Sequence, residues 1–417
     1  MLRIFVFITD LAPTIFASTS VVFLGDKIMS KHPGTTIQSQ EFPSWEVKSN
    51  KLVQYYVEES KEIFALENFS ILSRGFEENC QDKRCLIVID ENVHRLYGEK
   101  IIAYFEHHNI AIKILTINSK ESEKNLDTAK LVVKAINEFN VLRRSEPLIG
   151  IGGGVVLDIV GLVSSLYRRG IPYIRIPTTL MGLVDAGIGI KTGINFDLDK
   201  NRLGTYHPPL AAYLDRSFLN TLDERHMSNG LAEILKIALI KDERLFQLLE
   251  CNAENIVSSR LQGHLDYDEI FYRAIQGMLE ELEPNLWEDK LERAVDYGHS
   301  FSPSIEMKAL PELLHGEAVN VDMVFSLILA KQRDFLSCQD FERVLGVMQH
   351  LNLPISHELC NYEFLQQALE DTVKHRNGLQ RLPITAGIGN CIFVNDISND
   401  EIRNGVAEFQ RISNKLK

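Results

Sequence analysis

Residues 147–161 read PLIGIGGGVVLDIVG, and the reading of this stretch decides the fold. Leu148, Ile149 and Ile151 lead into Gly152, Gly153 and Gly154, after which Val155, Val156, Ile159 and Val160 recur at helical spacing. That pattern predicts a buried strand, a glycine turn and a helix start. Backbone without Cβ lets a phosphate come close, and the free N–H groups of a helix start favour an anion. A dinucleotide pyrophosphate site satisfies the pattern, and so does a plain tight turn, because the triplet lacks GxGxxG spacing.

Strand and helix patterns alternate around this stretch. CLIVID (85–90), IKILTIN (112–118) and YIRIPTT (173–179) read as strands, and 92–108 and 126–142 as helices. Such alternation implies a parallel sheet with ligands at the carboxyl ends of its strands. Past about residue 218 helical patterns dominate until two short extended runs, RLPITAGIG and CIFVND, and a closing helix. The expected fold class is α/β plus α: a Rossmann-like parallel-sheet nucleotide-binding domain over 51–217 and a mainly helical domain over 218–417. A cleft between such domains is a preferred ligand site.

The 417 residues are 45% hydrophobic and 24% charged, as in ordinary globular proteins, and carry a formal net charge of −13. That balance gives no sign of a nucleic-acid partner. Six scattered cysteines, without metal-motif spacing, read as reduced thiols in a cytoplasmic protein. Asp10 and Pro13 interrupt the apolar start of the chain, which weighs against a signal peptide and a membrane-spanning helix. Residues 1–50 read instead as an extension without fixed order.

Three residues could hold a metal. Glu233 lies in NGLAEILK, His299 in DYGHSFSP and His315 in LLHGEAV. One carboxylate and two imidazoles suit catalytic zinc, and cobalt equally by ligand type. Their wide separation fits surface or packed residues just as well. Asp185, Lys191, Asn195, Lys200, Asn201 and Arg202 cluster in 177–204, either to hold a phosphorylated substrate or as a solvated loop. Lys236 follows Glu233 by three residues and shares its helix face, as a functional pair or a surface salt bridge.

Six segments in order resemble the sugar phosphate cyclase family, founded on dehydroquinate synthase: GGGVVLDIVG, IPTTLMGLVDAGIGIKTGIN, KNRLGTYHPP, NGLAEILKIALIKD, DYGHS and LLHGEAV. The resemblance runs from about residue 85 to 395. It implies NAD and Zn²⁺ (or Co²⁺) as cofactors, a small sugar phosphate as substrate and a homodimer. Gly152, Gly153, Gly154 and Asp158 would serve the NAD pyrophosphate. Asp90, Glu121, Lys124, Thr178, Thr179, Asp185, Lys191 and Lys200 complete the implied cofactor set. Glu233, His299 and His315 fall on the metal ligands, and the helical domain becomes the metal- and substrate-binding one. Lys191, Lys236, Asp185, Asp296 and His375 fall on implied catalytic positions, with Asn201, Arg202 and Lys374 beside Asp296 and His375 for substrate.

The departures from dehydroquinate synthases narrow the reading. Pro303 replaces a second histidine, Asp296 an asparagine and Glu292 a carboxylate-binding arginine. An acid where an arginine met a carboxylate argues against a carboxylate substrate. Pro303, Asp296 and His375 resemble instead the branch that cyclises sedoheptulose 7-phosphate, and within it the 2-epi-5-epi-valiolone synthases. The implied reaction is transient NAD-dependent oxidation, phosphate elimination, re-reduction and intramolecular aldol closure. Desmethyl-4-deoxygadusol synthase and 3-dehydroquinate synthase are the alternatives within the family. A metal-dependent polyol dehydrogenase, with a similar two-domain plan and glycine-rich loop, is the alternative outside it.

Overall fold

Strands apolar on both faces drive the first half of the folded chain into a six-stranded parallel sheet. A computed structural model describes residues 45–49, 52–77, 82–197 and 199–416. The expectation for residues 1–50 therefore lies outside the described residues, except for 45–49, which are exposed coil. Tyr55–Lys417 forms one unit.

The elements follow the alternation read from the sequence. They are β1 (Tyr56–Glu59), α1 (Ser70–Gly75), β2 (Arg84–Asp90), α2 (Glu91–His107), β3 (Ala111–Ile117), α3 (Leu126–Phe139), β4 (Leu148–Gly152), α4 (Gly154–Leu166) and β5 (Tyr173–Pro177). A hairpin, β6 (Lys191–Phe196) and β7 (Asp199–Tyr206), precedes the last sheet strand, β8 (Ala211–Leu214). The sheet order is β1-β8-β5-β4-β2-β3. Ile87, Ile89, Ile149 and Ile151 face Tyr104 and Phe105 of α2, while Leu86, Val88 and Leu148 face α3 and α4. From β2 the chain crosses to β3 on one side and then to β4 on the other, so the crevice at this switch opens between Asp90 and the glycine triplet.

The hairpin departs from the sequence reading, which left 177–204 without strands beyond residue 179. β6 and β7 pair antiparallel, and Thr192 Oγ1 donates to Thr205 O at 3.0 Å. Ahead of it, Gly182–Ala186 forms a π turn that carries Asp185. Arg175 of β5 secures both features. Its guanidinium is fully buried and donates to the carbonyls of Ala186, Gly189 and Lys191. Without it three partly buried carbonyls lose a charged donor.

The second half is helical: α5 (Glu224–Ile240), α6 (Glu243–Ser259), α7 (Leu265–Leu282), α8 (Ser302–Ala309), α9 (His315–Gln332), α10 (Cys338–His350), α11 (Tyr362–His375) and α12 (Asn399–Leu416). β9 (Leu382–Thr385) and β10 (Cys391–Val394) form the short antiparallel pair expected from the sequence. α5 is buried from Met227 to Ile240 and α9 from Gly316 to Ala330, as befits helices packed on all sides. Their core includes Leu180, Leu183, Val184 and Ile188, so the π turn beside Asp185 is anchored in the helical layer. Among the described residues, no helix is long and apolar enough to cross a membrane.

Arg175→Met should lower the unfolding free energy by about 3 kcal/mol or more, since hydrogen bonds to charged groups contribute roughly 1.5–3 kcal/mol each. Urea unfolding followed by circular dichroism reads this directly; a loss below about 1 kcal/mol would remove Arg175 as the clamp of the 186–191 segment.

Candidate active site

Two largely buried helices meet where the candidate metal residues converge. Glu233 projects from α5 and is 1% exposed. His315 opens α9, and His299 lies in the turn before α8. One ligand atom from each lies within 4.8 Å of the other two. His299 Nε2 is 3.8 Å and His315 Nε2 3.6 Å from Glu233 Oε1. The other ring nitrogens are occupied: His299 Nδ1 donates to Tyr297 O at 3.1 Å, and His315 Nδ1 to Glu306 Oε2 at 2.8 Å. Both rings therefore turn a bare Nε2 towards Glu233, the tautomer a metal ligand needs.

Local sequence explains the convergence. Gly316 allows α9 to press on α5, since a Cβ there would stand 2.0 Å from Asn229 O. The Gly316 N–H donates to Asn229 Oδ1 at 2.6 Å, and Glu317 Oε2 caps the helix by accepting from Leu314 N at 2.7 Å. The His299 turn is held by buried Asp322, which accepts from the N–H groups of Phe301 and Ser302. Burial pushes the Asp322 carboxyl up to about 6 despite these donors. Pro303 sits in the first turn of α8, where its missing N–H breaks no helical bond.

The electrostatics fit a cation. Neither Glu233 oxygen makes a hydrogen bond, although the buried Lys236 ammonium lies against Oε2 as an ion pair. This is no surface salt bridge: Lys236 is 2% exposed. Burial alone would lower the Lys236 pKa, but Glu233 and Asp185 raise it above its ordinary value. Burial, and then the Lys236 charge, hold His299 well below the usual imidazole value, so it is neutral and free to ligate.

The glycine triplet closes a second cradle. A Cβ on Gly153 would stand 3.2 Å from Thr179 Cγ2, and one on Gly154 3.3 Å from Ala186 Cβ. The α4 N-terminus has no side-chain cap, and the buried Thr178 Oγ1 beside it has no hydrogen-bond partner. Free N–H groups, an unspent hydroxyl and close backbone fit a pyrophosphate. Asp90 caps α2 by accepting from Val93 N at 2.9 Å and is also bonded by Ser119. Lys124 is buried, paired with Asp158 at 2.6 Å, and donates to Asn201 Oδ1 at 2.7 Å. Glu121 Oε1 accepts from Asn195 Nδ2 at 2.8 Å, and Asn195 Oδ1 accepts from Asn201 N at 2.9 Å.

The predicted substrate residues divide. Lys191 pairs with Glu288, which also meets Arg293. The Lys191 side chain is 56% exposed, and desolvation of its ammonium, then Arg293, lower its pKa from the ordinary lysine value. Asp296 is bonded by Arg293 and lies 3.9 Å from Arg376 Nη2. Burial would raise the Asp296 pKa, but Arg293, Lys191 and Arg376 hold it low. Lys200 donates to Glu306 Oε2 at 2.6 Å. Arg202 pairs with Asp199 at 3.1 Å, both 60% exposed. Lys374 is exposed on Asp371, and His375 is exposed at the end of α11, its pKa lowered by partial burial against the pull of Asp296. Glu288, Arg293, Glu306 and Arg376 escaped the sequence reading. Three of them stand close to singled-out residues, in LWEDKLERAVD and KHRNGL, but nothing in their spacing marks them.

Comparisons with known proteins give the family. The models "3-dehydroquinate synthase N-terminal" and "3-dehydroquinate synthase C-terminal" match residues 114–229 and 230–374. The chain belongs to the 3-dehydroquinate synthase family. Within this family it is 50% identical to a 2-epi-5-epi-valiolone synthase of an Actinomyces species, over 88% of this chain and 97% of that one. A 2-epi-5-epi-valiolone synthase from Streptomyces hygroscopicus subsp. jinggangensis 5008, solved with NAD⁺ and Zn²⁺ bound, superposes with a TM-score of 0.85 at 49% identity, covering 88% of this chain and 100% of that chain. A demethyl-4-deoxygadusol synthase of Trichormus variabilis is more distant, at 36% identity over 88% of this chain and 90% of that one.

Gly316→Ala should destabilise the protein by roughly 1–3 kcal/mol, the usual range for overpacking. It should also weaken zinc binding, because α9 must move away from α5 and carry His315 with it. A chelator competition assay unchanged from the parent would show that the α5–α9 contact does not set the metal geometry.

Proposed function

We propose that this chain converts sedoheptulose 7-phosphate to 2-epi-5-epi-valiolone and phosphate. The observation that carries the reading is the identity of about 50% over 88% of the chain to proteins of that name, on a chain that keeps Glu233, His299, His315 and the glycine triplet. Asp296, Pro303 and His375, where this chain departs from dehydroquinate synthases, support the same branch. In this reading residues 51–217 serve the dinucleotide and 218–417 the metal and substrate, in a cytoplasmic homodimer.

NAD, when bound, supplies a hydride acceptor and donor, and zinc supplies a Lewis acid at an alcohol oxygen. Gly152, Gly153, Gly154 and the α4 N-terminus would hold the pyrophosphate; Glu233, His299 and His315 would hold the metal. The remaining work falls to the chain. Lys236, fixed between Glu233 and the field of Asp185, keeps a permanent positive charge beside the metal ligands. Lys191 presents an accessible ammonium for the phosphate. Arg202 and Asn201, exposed on β7, add donors at the same edge. Asp296 and His375 meet the hydroxyls of the seven-carbon sugar and steer which intermediate closes. Holding chain and carbonyl together in one cleft removes roughly 7–11 kcal/mol of entropic barrier at best.

The protein incubated with sedoheptulose 7-phosphate, NAD and Zn²⁺ should release phosphate without accumulating NADH, and mass spectrometry and NMR should identify 2-epi-5-epi-valiolone. No phosphate release sinks this reading; net NADH production from a polyol would favour the dehydrogenase. Asp296→Ala with His375→Thr should alter the product or slow its formation at least tenfold while zinc and NAD still bind. An unchanged product and rate in that double variant would take product control away from these residues.

A further inference from the structure

Glu306 is a buried carboxylate that neither the sequence reading nor the family resemblance assigns. It lies on α8, is 2% exposed, and spends both oxygens on two partners from distant elements. One is His315 Nδ1 at 2.8 Å; the other is Lys200 Nζ of β7 at 2.6 Å. Lys200 Nζ also lies 3.1 Å from His315 Nδ1, so the three groups form a closed triangle behind the imidazole.

A buried carboxylate paired with a lysine is by itself an ordinary structural ion pair. The imidazole makes this one different. An imidazole that gives its Nδ1–H to an anion keeps its Nε2 lone pair unprotonated, becomes more basic and is fixed in rotation. His315 Nε2 is the atom directed at Glu233. His299 obtains its tautomer from a neutral acceptor, Tyr297 O, so the two histidines are supported unequally.

The geometry points to Glu306 as a positioning residue of the metal centre: it fixes the tautomer and orientation of His315 and, through Lys200, ties that ligand to the β6–β7 hairpin. This rests on the reading of Glu233, His299 and His315 as metal ligands. Asn201, next to Lys200, accepts from Lys124, which pairs with Asp158 on the helix that follows the glycine triplet. The hairpin thus gives Glu306 a connected path towards the dinucleotide cradle.

The test is made on the full chain with Zn²⁺ and Co²⁺ as probes. Loss of a hydrogen-bonded partner behind a metal ligand weakens metal affinity by about 10–100-fold. Glu306→Gln keeps the size and an acceptor oxygen but loses the charge, and should raise the zinc dissociation constant about tenfold in chelator competition. Glu306→Ala should raise it towards a hundredfold. The visible Co²⁺ absorption band should shift in both, while NAD binding to the metal-free protein stays at the parent value. A folded Glu306→Gln protein with a zinc constant within about twofold of the parent and an unmoved Co²⁺ band would overturn the inference, whatever its melting temperature. A parent chain that binds no zinc would overturn it together with the metal reading. Phosphate release from sedoheptulose 7-phosphate is a separate readout, so failure of the cyclase reading is told apart from failure of this one.

Discussion

A carboxylate without a hydrogen bond, buried midway along a helix packed on all sides, is the constraint on which this structure depends. Placing Glu233 there costs several kcal/mol of lost hydration. Among the described residues Lys236, one turn along α5, supplies the compensating charge; the two bare imidazole nitrogens are acceptors like the carboxylate, and a bound cation would satisfy all three. The arrangement holds only if α9 and the His299 turn both reach α5 at close range, which Gly316 and the Asp322 cap allow. Metal site, helix crossing and core are therefore one packing problem.

The β6–β7 hairpin joins this centre to the sheet. Arg175 pins its entry from below, Asn195 and Asn201 engage Glu121 and Lys124 on one side, and Lys200 engages Glu306 on the other. Each contact is a modest hydrogen bond or ion pair, but most involve a buried group, and a buried group left unpaired is expensive. The hairpin is thus held between the side of the sheet that carries the glycine triplet and the cluster of Glu233, His299 and His315.

The surroundings of Asp296 change how substrate recognition is understood. The family resemblance implies a catalytic and substrate position for it. In the structure Arg293 takes both of its oxygens and Arg376 stands behind it. A carboxylate can accept further hydrogen bonds while paired, since each oxygen has two lone pairs. Asp296 therefore acts as part of an ionic group with Arg293, Glu288 and Lys191, and a change at Asp296 also releases Arg293.

The sequence by itself determined the parallel sheet, the glycine turn on β4 and the helical second half, because those depend on local periodicity and on residues lacking a Cβ. Through ordered motifs it also determined the family, and it singled out Glu233, His299 and His315. It could not reveal that these three meet, that Lys236 is buried, or that 177–204 contains a hairpin held by Arg175. Nor could it reveal Glu306, Arg293 and Arg376, which sit in ordinary helical or loop sequence and acquire their roles only from partners up to 106 residues away. Those features belong to the tertiary structure, since a charge takes its meaning from what surrounds it, and its surroundings here are assembled from distant parts of the chain.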